Sequence, residues 1–180
     1  MTPGAVSTRL HDLITGRVRA VPDFPEPGVL FRDITPLLGD ATAFSAVISN
    51  LADTFGGEVD AVAGIEARGF LFAAPLAAVL GCSLIAVRKA GKLPPPVLQA
   101  EYELEYGSAV LEVSEHAVTE GSRVAVLDDV LATGGTAAAA CTLLEECGAS
   151  VAGLGFLLEL SELHGRDRLT DRDVHTLLSY

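Results

Sequence analysis

The sequence predicts an α/β fold, a parallel sheet flanked by helices. Three observations carry this. Three short apolar runs, "AVAGIE", "SLIAVRK" and "RVAVLDD", each end in polar residues, as strands buried on both faces do. Helical stretches alternate with them, "GFLFAAPLAAVLG" after the first and "TAAAACTLLEECG" after the third, and that alternation builds parallel sheets. With 180 residues, 49% hydrophobic and 20% charged, the chain is large enough to bury one substantial core.

The elements follow in order. "AVSTRLHDLITGRVRAV" has apolar residues near helical spacing and predicts an amphipathic helix. "PDFPEPGVLFRD" carries three prolines and a glycine, so it predicts a stiff, extended loop. "DATAFSAVISNLADTFGG" predicts a helix capped by Asp40 or Thr42 and ended by Gly56–Gly57. The three strands and their helices come next, then a strand in "SVAGLGFLLEL" and a last one in "VHTLLSY". Between Leu93 and Val118, three prolines give way to alternating apolar and polar residues around Tyr106–Gly107–Ser108. That stretch predicts an antiparallel hairpin, either a lid over a site or an ordinary surface hairpin. The expected organisation is a single domain over 1–180, with an N-terminal helix and loop at 1–38, a core at 39–160 and the hairpin at about 93–118.

Composition excludes several functions. A net charge of −12 argues against nucleic-acid binding. No apolar run reaches the roughly 18 residues a membrane span needs, and "MTPGAVSTRLHDL" lacks an apolar signal region, so no membrane association and a cytoplasmic location are expected. Cys82, Cys141 and Cys147 show no CxxC spacing and read as incidental thiols. There is no GxxxxGK[ST], no GxGxxG, no HExxH and no GxSxG.

In open parallel sheets ligands gather at the carboxyl ends of the strands. Three strand ends here carry polar clusters: Glu66, Arg68 and Gly69; Arg88, Lys89 and Lys92; and Asp128 and Asp129. Between Asp33 and Ser122 those two arginines and two lysines are the only basic residues, so the sheet would gather scattered cations into an anion pocket. The loop "ATGGT", Ala132, Thr133, Gly134, Gly135 and Thr136, precedes a helix, where free N–H groups and the helix dipole favour phosphate. The alternative is a threonine N-cap at Thr133 or Thr136.

The stretch "VAVLDDVLATGGT" (124–136) resembles the phosphoribosyl pyrophosphate motif of the type I phosphoribosyltransferases. "FPEPGVLFRDITPLL", "GIEARGFLFAAPLA", "VRKAGKLP" and "YELEYGSAVLEV" narrow the resemblance to the adenine phosphoribosyltransferases, from about Val21 to Ser161. The resemblance implies the type I phosphoribosyltransferase fold with a flexible hairpin lid and a small base-covering hood. It implies the purine-salvage conversion of adenine and phosphoribosyl pyrophosphate to AMP and pyrophosphate, with Mg²⁺ held mainly by substrate. Asp128 and Asp129 would face the ribose hydroxyls and act in catalysis, while Ala132, Thr133, Gly134, Gly135 and Thr136 would hold the 5′-phosphate. Arg68 and Lys92 would meet the pyrophosphate, assisted by Arg88 and Lys89. Leu30, Phe31, Arg32 and Leu160 would hold adenine, and Glu105 would hold or relay the proton of the base. Glu101, Glu103 and Glu112 look like further acids on an exposed strand. By the same resemblance Arg88 reaches a neighbouring subunit, which implies a homodimer. A phosphoribosyltransferase for 6-oxopurines and a ligand-sensing regulator are the competing readings. The proline loop argues against the first; the shortness of the stretch before Val21 and the chain's net charge of −12 argue against the second.

Overall fold

The structure, a computed structural model, describes residues 6–57, 59–103 and 108–180. The chain divides into two compact units, residues 1–54 and 55–180.

In the first unit, α1 (Thr8–Thr15) starts at Ser7, whose side chain accepts from the N–H of Leu10 at 3.2 Å, and it buries Leu10 and Ile14. The helix is shorter than the apolar spacing predicts, because Arg19–Pro22 forms a strand, β1. It pairs antiparallel with β2 (Leu30–Asp33), Val21 opposite Phe31. The proline-rich stretch is therefore the loop of a two-stranded ribbon, tied by Asp23 Oδ1 accepting from the N–H of Gly28 at 2.8 Å. A short turn of helix, α2 (Thr35–Leu38), leads to α3 (Ala41–Phe55). Of the two candidate caps for α3, Asp40 serves: its Oδ1 accepts from the N–H groups of Thr42 and Ala43, both at 3.0 Å.

The second unit is built on β3 (Ala61–Ile65), α4 (Gly69–Leu80), β4 (Ser83–Lys89), β5 (Val97–Glu103), β6 (Ser108–Ser114), β7 (Arg123–Leu131), α5 (Gly135–Glu146), β8 (Ser150–Glu159) and β9 (Val174–Ser179). Among the described residues the sheet order is β5-β6-β4-β3-β7-β8-β9. The run from β4 to β9 is parallel, and the β5–β6 hairpin adds antiparallel at the β4 edge, Arg88 opposite Glu112. The hairpin expected at about 93–118 is thus a continuation of the sheet. Alternate residues of a strand face opposite sides. Ala61, Ala63 and Ile65 of β3 join Val124 and Val126 in a core beneath Ala137, Ala140 and Leu144 of α5. Gly64 faces the other way, onto α4, where a Cβ would stand 2.7 Å from that of Ala73. After β8 the chain passes through two 3₁₀ turns, Ser161–Leu163 and Gly165–Arg168, before β9.

Candidate active site

The three polar clusters meet at the carboxyl edge of the parallel sheet. Glu66, Arg68 and Gly69 form the turn from β3 into α4, and the N–H of Glu66 donates to the Val87 carbonyl of β4 at 2.9 Å. The acid pair is not at a strand end, as the sequence suggested, but inside β7. That strand continues to Leu131 because β8 keeps pairing with it, Val130 opposite Leu158 and Leu131 opposite Glu159. Its pairing with β3 stops at Leu127. β7 therefore overhangs β3, and the start of α4 fills the step. A Cβ on Gly69 would lie 2.6 Å from the Leu127 carbonyl and 3.2 Å from Asp128 Oδ1, so only glycine lets the helix come this close.

Successive strand residues project to opposite faces, and the two aspartates differ accordingly. Asp128 is half-buried and borders a cavity of about 60 Å³ together with Thr133, Gly134, Thr136 and Phe156. The N–H of Asp129 donates to Asp128 Oδ1 at 2.8 Å. The Asp129 side chain is buried, and Arg68 Nε stands 2.9 Å from its Oδ2. This is an ion-pair contact: among the described residues no hydrogen-bond donor is aligned on that oxygen. Burial pushes the Asp128 carboxyl well above its ordinary range, and the charge of Asp129 adds to the shift. Burial also raises Asp129, against the pull of the Arg68 guanidinium.

The loop Ala132–Thr136 turns β7 into α5. Gly134 is the cap residue, at φ 78°, and no side chain caps the helix. Neither Thr133 nor Thr136 serves as the N-cap, which removes the bland reading of the threonines. The first-turn N–H groups of a helix lack intrahelical acceptors, and here they adjoin the cavity that Asp128 borders.

The cations are held unequally. Arg88 Nε and Nη2 lie 3.3 and 3.4 Å from the Glu66 carboxylate, and its Nη1 donates to the Lys92 carbonyl at 3.0 Å. The N–H of Lys89 donates to Glu66 Oε2 at 3.0 Å. That bond and the Arg88 guanidinium hold the Glu66 carboxyl below its usual value. The Lys89 and Lys92 residues are exposed.

Glu112 corrects the sequence reading. It is 1% exposed, not an acid on an open strand. It accepts from the backbone N–H groups of Gly91, Lys92 and Leu93 at 3.0, 2.6 and 2.7 Å, and from Gln99 Nε2 at 3.3 Å. Burial pushes its carboxyl up, but these donors outweigh burial and leave it below its ordinary range. The Glu159–Arg166 pair was also missed. Arg166 Nε and Nη2 donate to the two Glu159 oxygens at 2.8 and 2.9 Å, and the guanidinium lowers the Glu159 carboxyl.

Leu30, Phe31 and Arg32 lie on β2 in the first unit, where Phe31 meets Phe24 edge to face at 5.1 Å. Leu160 follows β8 in the second unit, half-buried, its N–H bonded to the Leu131 carbonyl at 2.9 Å. Glu105 lies outside the described residues. Among the described residues no group of three or more His, Cys, Asp or Glu side chains could hold a metal ion.

An acid pair running into a glycine-threonine loop at a helix start, on a parallel sheet with an antiparallel hairpin at one edge, defines a phosphoribosyl-transfer enzyme. Residues 37–178 match the phosphoribosyl transferase domain. The adenine phosphoribosyltransferase of Clavibacter sepedonicus is 55% identical over 172 residues, 96% of this chain and 90% of the relative. That of Kineococcus radiotolerans is 58% identical over 170 residues, 94% of this chain and 92% of the relative. The crystal structure of the Thermoanaerobacter pseudethanolicus adenine phosphoribosyltransferase superposes with a TM-score of 0.91 at 48% identity, covering 94% of this chain and 99% of that one. The Saccharomyces cerevisiae enzyme, solved with adenine and an imino-altritol bisphosphate, gives 0.89 at 38% identity, covering 95% and 99%. The chain belongs to the phosphoribosyl transferase family and, within it, to the adenine phosphoribosyltransferases.

Proposed function

We propose that this chain transfers the phosphoribosyl group of phosphoribosyl pyrophosphate to adenine, forming AMP and pyrophosphate in purine salvage. The observation that carries the reading is the β7–α5 turn, where Asp128 and the loop Ala132–Thr136 border one cavity. An anion site beside an acid suits a single ribose: the loop takes the 5′-phosphate and the carboxylates take the hydroxyls. Breaking the bond at the anomeric carbon develops positive charge on the sugar, which neighbouring carboxylates stabilise. The opposite projection of the acids divides their work. Asp128 acts on the loop side and Asp129 on the side of Arg68. Arg68 and Lys92 take the pyrophosphate, with Arg88 and Lys89 assisting.

Mg²⁺ fits this donor set, since it is commonly bound through one or two carboxylates plus substrate phosphates rather than by a protein cage. Asp128, which borders the cavity, is the carboxylate placed to serve, while Asp129 Oδ2 is buried against Arg68. The ion would neutralise charge on the pyrophosphate as it leaves. A cation near the pair also favours the ionised form that burial disfavours.

Leu30, Phe31, Arg32 and Leu160 are the proposed adenine contacts, and Glu105 the group that handles the proton of the base. A homodimer belongs to the same reading. α4 has no polar face and leaves Leu71 and Val79 exposed, and Leu84 of β4 is exposed beside them in sequence; a helix apolar all round is normally covered. The three free cysteines suit a reducing cytoplasm, and among the described residues no helix is long and apolar enough to cross a membrane.

The test is a purine panel with phosphoribosyl pyrophosphate and Mg²⁺. AMP from adenine, with little product from hypoxanthine, guanine or xanthine, is expected. No turnover of adenine would overturn the reading.

A further inference from the structure

The turn after β8 is tied down far more firmly than a surface connection needs. Glu159 is 8% exposed. Besides the two bonds from Arg166, it accepts from Thr176 Oγ1 at 3.1 Å and Ser179 Oγ at 3.3 Å. Arg166 also donates to Thr176 Oγ1 at 3.0 Å and to the Val174 carbonyl at 3.1 Å. The end of β8, the strand β9 and the Gly165–Arg168 turn are thereby one locked piece. A half-exposed ion pair contributes little stability on its own, so a network this complete points to a geometric role.

The residue before Arg166 shows what is being held. Gly165 lies backbone to backbone against the phosphate loop. A Cβ on Gly134 would fall on the Gly165 carbonyl oxygen, with the Gly165 carbonyl carbon at 3.1 Å. A Cβ on Gly165 would fall on the Ala132 carbonyl oxygen, with Leu131 Cδ1 at 3.0 Å. The loop has Asp128 and the cavity on one side and this bare backbone surface on another.

We propose that the Glu159–Arg166 pair is a positioning device for phosphoribosyl pyrophosphate: it holds the Gly165 backbone against Ala132 and Gly134 and so fixes the direction of the loop N–H groups. The assignment rests on the loop being the 5′-phosphate site. Neither Glu159 nor Arg166 touches substrate in this account. They act by denying the loop a second conformation, and a small misplacement of a binding group costs rate steeply.

Arg166→Ala should raise the KM for phosphoribosyl pyrophosphate about tenfold and weaken ribose 5-phosphate binding, read by calorimetry, by a similar factor. The KM for adenine should stay within about twofold of wild type. Arg166→Lys, which keeps the charge but not the paired bonds, should fall between. Gly165→Ala should reproduce the effect without touching the ion pair, and Thr176→Val should do so weakly if Arg166→Ala fails to fold. A purely structural role predicts a lower melting temperature and a smaller active fraction, with both KM values and ribose 5-phosphate affinity unchanged; that outcome sinks the proposal. The Thr133→Ala, Thr136→Ala double variant separates the two levels. If it weakens ribose 5-phosphate and the Arg166 and Gly165 variants do not, the clamp fails alone. If it leaves affinity intact, the loop assignment fails and the clamp with it.

Discussion

At Asp128 the peptide N–H of Asp129 donates to Oδ1 at 2.8 Å, yet burial still drives the carboxyl well above its usual range. A carboxyl with a higher pKa folded than unfolded binds more protons in the folded state between the two values. Stability therefore falls as pH climbs from about 4, the ordinary aspartate value, through the raised one. Asp128→Asn removes this titration. Its melting temperature should exceed that of wild type near neutral pH, the gap should close toward about pH 4, and turnover should drop on the order of 10²–10³-fold. Melting curves across that range beside steady-state assays check both halves; a variant less stable than wild type at neutral pH contradicts the first. The acids and the glycine-threonine loop were legible because their chemistry is written in consecutive residues. Glu112 and Arg166 were not. Glu112 serves donors about twenty residues away, and the Arg166 partners lie on two different strands, so nothing local marks either side chain.

At the scale of elements, the parallel strands were legible because a strand buried on both faces is apolar throughout. Two boundaries were not. β1 was absorbed into the first helix because "RVRAV" suits either period, and only pairing with β2 decides it. The end of β7 was placed at the acids because polarity marks a strand end, while β8 carries the pairing two residues further, to Leu131. The loop 91–93 is an element of the same kind, since its shape is set by a partner. Replacing Glu112 with Gln keeps the volume but removes the charge and one acceptor from three backbone donors. It should cost about 1–3 kcal/mol, measured by urea unfolding. Since the folded Glu112 carboxyl lies below its ordinary value of about 4.3, the ionised form contributes fully above that pH. Its contribution, and with it most of the difference between Gln and wild type, is lost as pH falls through the folded value.

For the whole molecule, the basic residues are unevenly placed. The chain carries −12, while Arg68, Arg88, Lys89 and Lys92 are all committed to one sheet edge, so a polyanionic substrate meets a local field unlike that of the molecule at large. The apolar surface of α4 and β4 speaks to assembly. Val79→Asp with Leu84→Asp places charge where cover is expected, and light scattering should then report half the wild-type mass. A wild-type chain already monomeric at assay concentration contradicts the proposed dimer.

The contact between Gly134 and Gly165 has an evolutionary consequence. The obstacle to a larger side chain at either position is the backbone carbonyl of the other segment, and a carbonyl cannot be trimmed by a second mutation. Ordinary packing partners drift together, one shrinking as the other grows. Here no compensating change exists, so across descendants of a common ancestor the two sites should stand fixed while showing no correlated variation. A method that finds contacts from paired substitutions would pass over one of the closest approaches in the molecule.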